Sequence, residues 1–286
     1  NGNGVKVVNA SAAMSHAAYA INTNAGATLN IKNGEVRHEN GHAIRMVSFG
    51  VAKNTVNIEG GYVLGTRALQ IQLPSGASAA APEMDLNVTG GTLESNEETY
   101  NLAIYVFSNG QSAEKFTANL AGGVFKGNVA INAAASDSML EGAMAVSGGT
   151  FNGAYGVYSY ADEAGDVIDI KGGAFASLYS MMYLNSEDEV YKLANDIDLD
   201  NVAWTPVGQT GATQFQGTFD GNDKTIYNLN IDATAQTGGN YSSGLFGWLN
   251  DATVKNVTIE GATVKGNHNV GVIAGYLETA GCTIEK

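Results

Sequence analysis

The sequence predicts an all-β protein, a right-handed parallel β-helix whose coils stack into a single elongated β-solenoid. Three observations lead to this prediction: an excess of glycine, an internal repeat, and short segments in which apolar and polar residues alternate. Glycine supplies 37 of the 286 residues, whereas proline supplies 3 and charged residues make up 15%. Ordinary globular chains contain about 7% glycine and about 25% charged residues. So much glycine indicates a tight backbone conformation that recurs along the chain.

The repeat supplies that recurring conformation. Six segments share the order apolar, polar, apolar, polar, Gly or Asn, Gly, any residue, apolar. They are LNIKNGEV (29–36), VNIEGGYV (56–63), LNVTGGTL (86–93), ANLAGGVF (118–125), MAVSGGTF (144–151) and IDIKGGAF (168–175). Their second glycines are 27, 30, 32, 26 and 24 residues apart. One coil of a parallel β-helix takes roughly 20–30 residues, so each repeat is predicted to form one coil with glycine at its corner.

A second alternating segment follows each glycine turn and predicts a further strand with one buried face. These segments are 43–49, 68–73, 102–107, 128–133, 155–161 and 180–185. The alternative is a meander of antiparallel hairpins in a sandwich. A sandwich has no reason to repeat the same Gly-Gly signature after the same strand, so the solenoid is favoured. Its right-handedness follows from the rule for parallel crossover connections.

The signature changes after residue 185, which divides the chain into residues 1–185 and 186–286. TIYNLNI (225–231) matches TVKNVTI (253–259) at a spacing of 28, and a third copy begins at residue 283. GLFGWL (244–249) is echoed by GVIAGYL (271–277) with one residue added. We expect the second set of coils to continue the first without a break and to be cut off at its C-terminal end.

Residues 187–286 resemble the GLUG-motif region of bacterial surface proteins. The resemblance rests on the order YKLANDIDL (191–199), WTPVG (204–208), FQGTFDGN (215–222) and GLFG (244–247). The first two thirds are similar, more loosely, to the Gly-Gly-Thr-Phe repeats of large surface proteins. The resemblance implies an adhesin-like β-solenoid of the pectin-lyase-like architecture at the bacterial cell surface or in the secreted fraction. It implies no catalytic residues.

Composition narrows the choice of partners. Acidic residues outnumber basic ones 28 to 14, giving a formal net charge of -14. Nucleic-acid binding requires clustered Lys and Arg, but Arg37, Arg45 and Arg67 are the only arginines and no basic run occurs. No apolar run approaches the roughly 18 residues of a membrane span, so no membrane insertion is expected in this segment. A glycan or another cell-surface ligand is the expected partner.

Aromatic residues of neighbouring repeats give the first candidate site. Tyr158, Tyr160 and Tyr183 are predicted to form a glycan-binding platform if their rings face outward, because an aromatic ring offers sugars an apolar face. Tyr105 and Phe107 belong to the same cluster. The alternative is an inward ladder in the core, which is favoured because stacked coils bury the same position repeatedly.

Three carboxylates at period two give a second candidate, since Asp196, Asp198 and Asp200 would share one face of a strand. Together they would hold Ca²⁺; no other cofactor is predicted. Calcium takes about 6–8 oxygen ligands, so an outward polar face above buried Ile197 and Leu199 is the favoured alternative.

His38-Glu39-Asn40-Gly41-His42 spells the His-Glu-x-x-His string of zinc proteases. That motif functions on a helix, where both imidazoles share one face. Here Asn40-Gly41 predicts a turn, and a solvated corner is favoured over a zinc site.

The predicted function is a structural and adhesion module that holds binding surfaces along a stiff β-solenoid, without catalysis. The alternative is a carbohydrate-active enzyme, a polysaccharide lyase or glycoside hydrolase. Such enzymes require paired carboxylates across a cleft, and the acidic pairs Glu97-Glu98, Asp162-Glu163 and Asp188-Glu189 lie in loop-like stretches without basic neighbours. A passive spacer without a ligand is a third possibility.

Overall fold

The computed structural model describes residues 6–9, 18–47, 52–73, 83–108, 116–132, 143–159, 168–178, 190–236 and 241–286. Within these ranges the regular structure consists of strands, with no helix and hence none that could span a membrane. The strands, in chain order, are β1 Lys6–Asn9, β2 Tyr19–Thr23, β3 Thr28–Ile31, β4 Glu35–His38, β5 His42–Val47, β6 Asn54–Ile58, β7 Tyr62–Gly65, β8 Arg67–Leu73, β9 Met84–Val88, β10 Thr92–Ser95, β11 Leu102–Ser108, β12 Phe116–Lys126, β13 Asn128–Asn132, β14 Met144–Phe151, β15 Val157–Ser159, β16 Ile168–Ile170, β17 Ala174–Phe175, β18 Val190–Leu193, β19 Ile197–Asp198, β20 Thr218–Tyr227, β21 Asn230–Ala233, β22 Phe246–Leu249, β23 Thr253–Glu260, β24 Thr263–Gly266, β25 Ala274–Leu277 and β26 Thr283–Glu285.

The chain divides into two compact units, Asn1–Asp169 and Ile170–Lys286. Within the described part of each unit the paired strands are parallel, as in a β-solenoid and unlike a hairpin sandwich. The predicted fold class is therefore confirmed. The change of coil type predicted near residue 186 falls outside the described residues and stays a prediction.

Each coil of the first unit contributes to two sheets. In one coil β6 and β7 flank the glycine turn and β8 follows, and the next coil repeats the order with β9, β10 and β11. The sheet that contains the glycine signature pairs β3 with β6, β6 with β9, β9 with β12 and β12 with β14. Leu29, Val56, Leu86, Ala118 and Met144 lie in register across these strands, so the alignment of the repeats on their glycine pairs is confirmed.

Glycine is required at the corner because successive coils approach each other through their backbones. Gly91 has φ +82°, in the left-handed region that residues with a Cβ rarely adopt. A Cβ on Gly91 would lie 2.8 Å from both the carbonyl carbon and the oxygen of Gly60 in the preceding coil. The other second glycines of this unit also have positive φ: Gly34, Gly61, Gly123 and Gly149.

The core lies between the sheets and is built from ladders of equivalent positions. Val36, Val63, Leu93, Phe125 and Phe151 stack in register, and all five are buried. The Phe125 and Phe151 rings are parallel within 1°, with centroids 4.6 Å apart. Parallel pairing places equivalent side chains of successive coils above one another, so Phe125 packs between Leu93 and Phe151.

On the outer face of the glycine-signature sheet, asparagine side chains form a hydrogen-bonded row, the asparagine row. Asn57 Nδ2 donates to Asn30 Oδ1 at 2.7 Å, Asn87 Nδ2 to Asn57 Oδ1 at 2.9 Å, and Asn119 Nδ2 to Asn87 Oδ1 at 2.9 Å. The row follows from the sequence, because all four residues occupy the second position of the repeat signature. It ties four coils together outside the core.

In the second unit β18 pairs with β20, β20 with β23 and β23 with β26, while β21 pairs with β24 and β22 with β25. Trp248 pairs with Tyr276 at the predicted spacing of 28, and Thr253 pairs with Thr283 as predicted. The predicted match of Thr225 with Thr253 is wrong, since Thr225 pairs with Thr258.

The mismatch arises because two similar corners occur within one coil. Asn228 and Asn256, aligned by the sequence comparison, both have left-handed φ, +60° and +54°. Asn228 contacts the corner at residues 260–261 through its N–H, which donates to the Glu260 carbonyl. Asn256 instead donates to Asp220 Oδ1 at the preceding corner. The two asparagines thus belong to different corners. The similar sequences at 225–231 and 253–259 therefore do not occupy equivalent positions in successive coils.

Candidate functional site

The second sheet of the first unit carries the most distinctive outer surface in the described residues. It consists of β2, β5, β8, β11, β13 and β15. Along β11, Ile104 and Val106 are fully buried, whereas Tyr105 and Phe107 between them are partly exposed. Alternation along a strand sends successive side chains to opposite faces, so Tyr105 and Phe107 lie on the outer face and not in a core ladder.

Tyr105 is held in place from three sides. The Arg67 guanidinium lies over its ring, 4.4 Å from the centroid, and the Phe107 ring stacks on it with centroids 5.3 Å apart and an interplanar angle of 12°. Asn132 Nδ2 donates to the Tyr105 hydroxyl at 3.0 Å. Arg67 is itself fixed by donating from Nη1 to Gln70 Oε1 at 2.6 Å. We call Arg67, Gln70, Tyr105, Phe107 and Asn132 the aromatic platform.

Sequence reasoning named Tyr105 and Phe107 but missed Arg67, Gln70 and Asn132. Register explains why these residues meet: Tyr105 lies opposite Gln70 in one neighbouring strand and opposite Ala130 in the other. The alternation of the strands was visible in the sequence, but their mutual register was not, because no glycine signature marks this sheet.

Tyr158, the first residue of the predicted glycan platform, lies in β15 opposite Ala130 and so belongs to the same outward column as Tyr105. It is partly exposed, and its ring meets Tyr155 edge-on at 5.7 Å. The other two predicted residues, Tyr160 and Tyr183, lie outside the described residues. The wider platform of the three tyrosines stays a prediction.

Asp196, Asp198 and Asp200 are all exposed, but they do not share one strand face. The strand β19 ends at Asp198, and Asp200 has left-handed φ of +50° in the following turn. Asp196 Oδ1 accepts from the Thr225 N–H, and Asp198 Oδ1 accepts from the Asp200 N–H and from Asn228 Nδ2. Two of the three carboxylates therefore fasten turns and neighbouring coils.

The hydrogen-bonded carboxylates of Asp198 and Asp220 are expected to make the stability of the second unit sensitive to acid. Burial raises the pKa of Asp220, but hydrogen bonds from the Asn222 N–H and Asn256 Nδ2, with Lys192 and Lys255 nearby, lower its pKa overall. A carboxyl group whose pKa is lower in the folded state stabilises the fold above the unfolded-state pKa of about 4. That stability is lost as the pH falls through the folded-state pKa. The same direction holds for Asp198, whose pKa is lowered by its hydrogen bonds from Asp200 and Asn228.

Asp220→Asn is expected to reduce the free energy of unfolding at pH 7 by about 1 kcal/mol, the usual contribution of such hydrogen bonds. Below pH 5 the free energy of unfolding of the variant should depend less on pH than that of the unaltered chain. Urea unfolding between pH 2.5 and 7 measures both effects. The matched control is Asp223→Asn, because Asp223 is exposed, makes none of these hydrogen bonds, and has a left-handed φ that Asn tolerates. Identical pH profiles for the two variants would contradict the prediction.

The His-Glu-x-x-His string forms a buried corner, so the expected solvated corner is wrong for both histidines. His38 and His42 are 0% and 2% exposed. His38 Nδ1 accepts from the Asn40 N–H at 3.3 Å, and His42 Nδ1 lies 2.8 Å from Thr66 Oγ1 in the next coil. Glu39 is exposed and pairs with Arg37 at 2.6 Å. A strand alternates its faces, and a turn separates the two imidazoles, so the string lacks the helical arrangement of a zinc protease.

Two further observations bear on chemistry. Within the described ranges, no three His, Cys, Asp or Glu side chains lie close enough to hold a metal ion together. Of the paired acids considered for catalysis, Glu97-Glu98 follows the end of β10, while Asp162-Glu163 and Asp188-Glu189 lie outside the described residues.

The fold defines the class of this protein as a structural repeat module built as a parallel β-solenoid. In sequence it is similar to Halomucin of Haloquadratum walsbyi, with 38% identity over 90 residues. The similarity covers 30% of this chain and 1% of Halomucin, so the chain corresponds to a very small part of that protein. No model of a known protein family matches the chain, and no solved structure matches it.

Proposed function

We propose that this chain is a structural and adhesion module of a bacterial cell-surface or secreted protein, and that it binds glycans on the outer face of its first unit without catalysing a reaction. The observation that carries the proposal is the aromatic platform, in which the Tyr105 and Phe107 rings stack on each other on an outward sheet face. Partly exposed rings that are fixed by their neighbours offer an apolar surface at low entropic cost.

Tyr158 lies in the same column of the sheet and would extend the binding surface, together with Tyr160 and Tyr183. The solenoid supports the proposed role because a stack of parallel coils holds such a surface on rigid strands. The GLUG-like order of motifs in residues 187–286 and the partial similarity to a protein named as a mucin are both compatible with an extracellular location.

A glycan array probed with the whole chain tests the proposal, with a reducing-end assay run on the same polysaccharides. We expect binding to a subset of glycans and no release of reducing ends. Phe107→Ala should weaken binding about tenfold, since covering about 50 Å² of the ring contributes about 1.3 kcal/mol at roughly 25 cal/mol per Å².

The matched control is Tyr100→Ala, which removes an aromatic side chain that is 58% exposed but lies outside the second sheet. It should leave binding unchanged. An array on which the unaltered chain binds nothing would contradict adhesion and favour a passive spacer. Release of reducing ends would contradict the non-enzymatic role.

A further inference from the structure

Charge is distributed unevenly over the first unit. The described residues of β2, β5, β8, β11, β13 and β15 include no Asp or Glu, although the chain contains 28 acidic residues. The same strands contain Arg45 and Arg67, two of the three arginines in the chain. The described strands of the second sheet thus contain basic residues and no acidic ones, although the protein as a whole is acidic.

Arg67 differs from the basic residues described in and beside the glycine-signature sheet. Several are paired with carboxylates: Lys6 with Glu35, Lys32 with Glu59, Arg37 with Glu35 and Glu39, Lys53 with Glu83 and Asp85, and Lys126 with Glu94. Arg67 has no carboxylate within ion-pair distance among the described residues, and its partners are the Gln70 amide and the Tyr105 ring. Its charge is therefore held in place but not neutralised.

The donors of Arg67 are only partly used. Nε is buried and makes no hydrogen bond, and Nη1 donates one hydrogen to Gln70 Oε1. Nη2 and the second hydrogen of Nη1 remain for a ligand. These two nitrogens form the planar fork that matches the two oxygens of a carboxylate.

We infer that Arg67 binds the carboxylate of an acidic sugar, a uronic acid residue within a polysaccharide, while the sugar ring packs against Phe107. This inference rests on the proposed function and adds the ligand class. The carboxylate of the ligand would form an ion pair with the Arg67 guanidinium, which has no ion-pair partner among the described residues. The Phe107 ring would pack against the C–H face of the pyranose. Asn132 lies on the same surface and offers amide hydrogen-bonding groups to sugar hydroxyls.

The net charge of -14 opposes an anionic ligand only at long range. At physiological ionic strength the Debye length is about 8 Å, so carboxylates on distant coils are screened while a direct contact with Arg67 is not. Because the described strands of the second sheet contain no Asp or Glu, no carboxylate on those strands repels the ligand at the contact.

Calorimetric titration of the whole chain with hexagalacturonate, its methyl ester and a neutral galactan hexamer tests the inference. The unaltered chain should bind the acid at least about tenfold more tightly than the ester, as expected for a charge-assisted pair. Arg67→Gln should abolish that preference while leaving weak binding of the ester. Arg67→Lys keeps the charge but lacks the planar guanidinium fork, so it should retain part of the preference for the acid.

Arg37→Gln is the matched control because it removes an arginine from the other sheet, where Arg37 already has carboxylate partners. It should leave the preference unchanged, and circular dichroism checks that each variant is folded. Equal binding of acid and ester by the unaltered chain, or a preference that survives in Arg67→Gln, would overturn the inference and leave glycan adhesion intact. Equally tight binding of a sulfated galactan or of an oligoglutamate peptide would overturn the assignment to uronic acids. Binding to none of the glycans would overturn the proposed function as well.

Discussion

Replacing Gly91 by alanine is expected to destabilise the first unit by about 3 kcal/mol. Part of this loss, about 1–2 kcal/mol, is the cost of left-handed φ for a residue with a Cβ. The remainder arises because the new Cβ would meet the carbonyl group of Gly60 at 2.8 Å and the Gly61 oxygen at 3.0 Å. These are backbone atoms of the adjacent coil, so the contact is relieved only by separating the coils, at a cost of about 1–3 kcal/mol.

Gly26→Ala is the matched control for this experiment. Gly26 has a similar φ of +77°, but a Cβ there would meet only the Ala52 side chain at 3.5 Å, an ordinary contact. The control should therefore cost only the conformational part, about 1–2 kcal/mol. Urea unfolding followed by circular dichroism measures both variants. Equal losses would show that close packing of the coils does not determine the need for glycine at this corner.

Phe125→Ala is expected to cost about 3–5 kcal/mol, the usual loss for removing a fully buried phenylalanine. The ring is 0% exposed and stacks face to face on Phe151. Removing it leaves a cavity between two coils, and the rigid parallel strands on either side restrict how far that cavity can collapse. Thermal and urea unfolding of the whole chain measure the loss.

Phe107→Ala provides the comparison. Phe107 is the same residue type, but it lies on the outer face of the second sheet and is only partly buried. It should cost only about 1 kcal/mol, since it removes a partly exposed ring and its stacking on Tyr105 and leaves no cavity in the core. A loss of similar size at both positions would contradict the assignment of Phe125 to the core and Phe107 to the surface.

The sequence predicts those parts of the fold in which the backbone conformation is compatible with only one residue type. Gly61 and Gly91 occupy corners that exclude a Cβ, and the preceding strands β6 and β9 alternate strictly, so the sequence alignment reproduced the register of the glycine-signature sheet. The second unit was harder because Asn and Asp, as well as Gly, adopt left-handed φ. Asn228 and Asn256 therefore looked equivalent although they stand at different corners.

For a related reason, only part of the candidate site could be predicted from the sequence. The aromatic residues of β11 were visible, but their direction depends on which of two alternating faces is buried, and both faces contain apolar residues. Arg67 reaches Tyr105 only through the pairing of two strands whose register no glycine marks. The burial of His38 and His42 was missed because a turn signal predicts where the chain bends and not which side chains face the core.

The asparagine row has a direction, because Asn57, Asn87 and Asn119 each donate toward the coil that precedes them in the chain. All strands in the row run the same way, so the amide dipoles align and add, as peptide dipoles add along a helix. The row therefore has a positive end at Asn30 and a negative end at Asn119. Each bond polarises the next, so interrupting the row at Asn57 or Asn87 removes mutual strengthening that the loss of a terminal residue would leave in place.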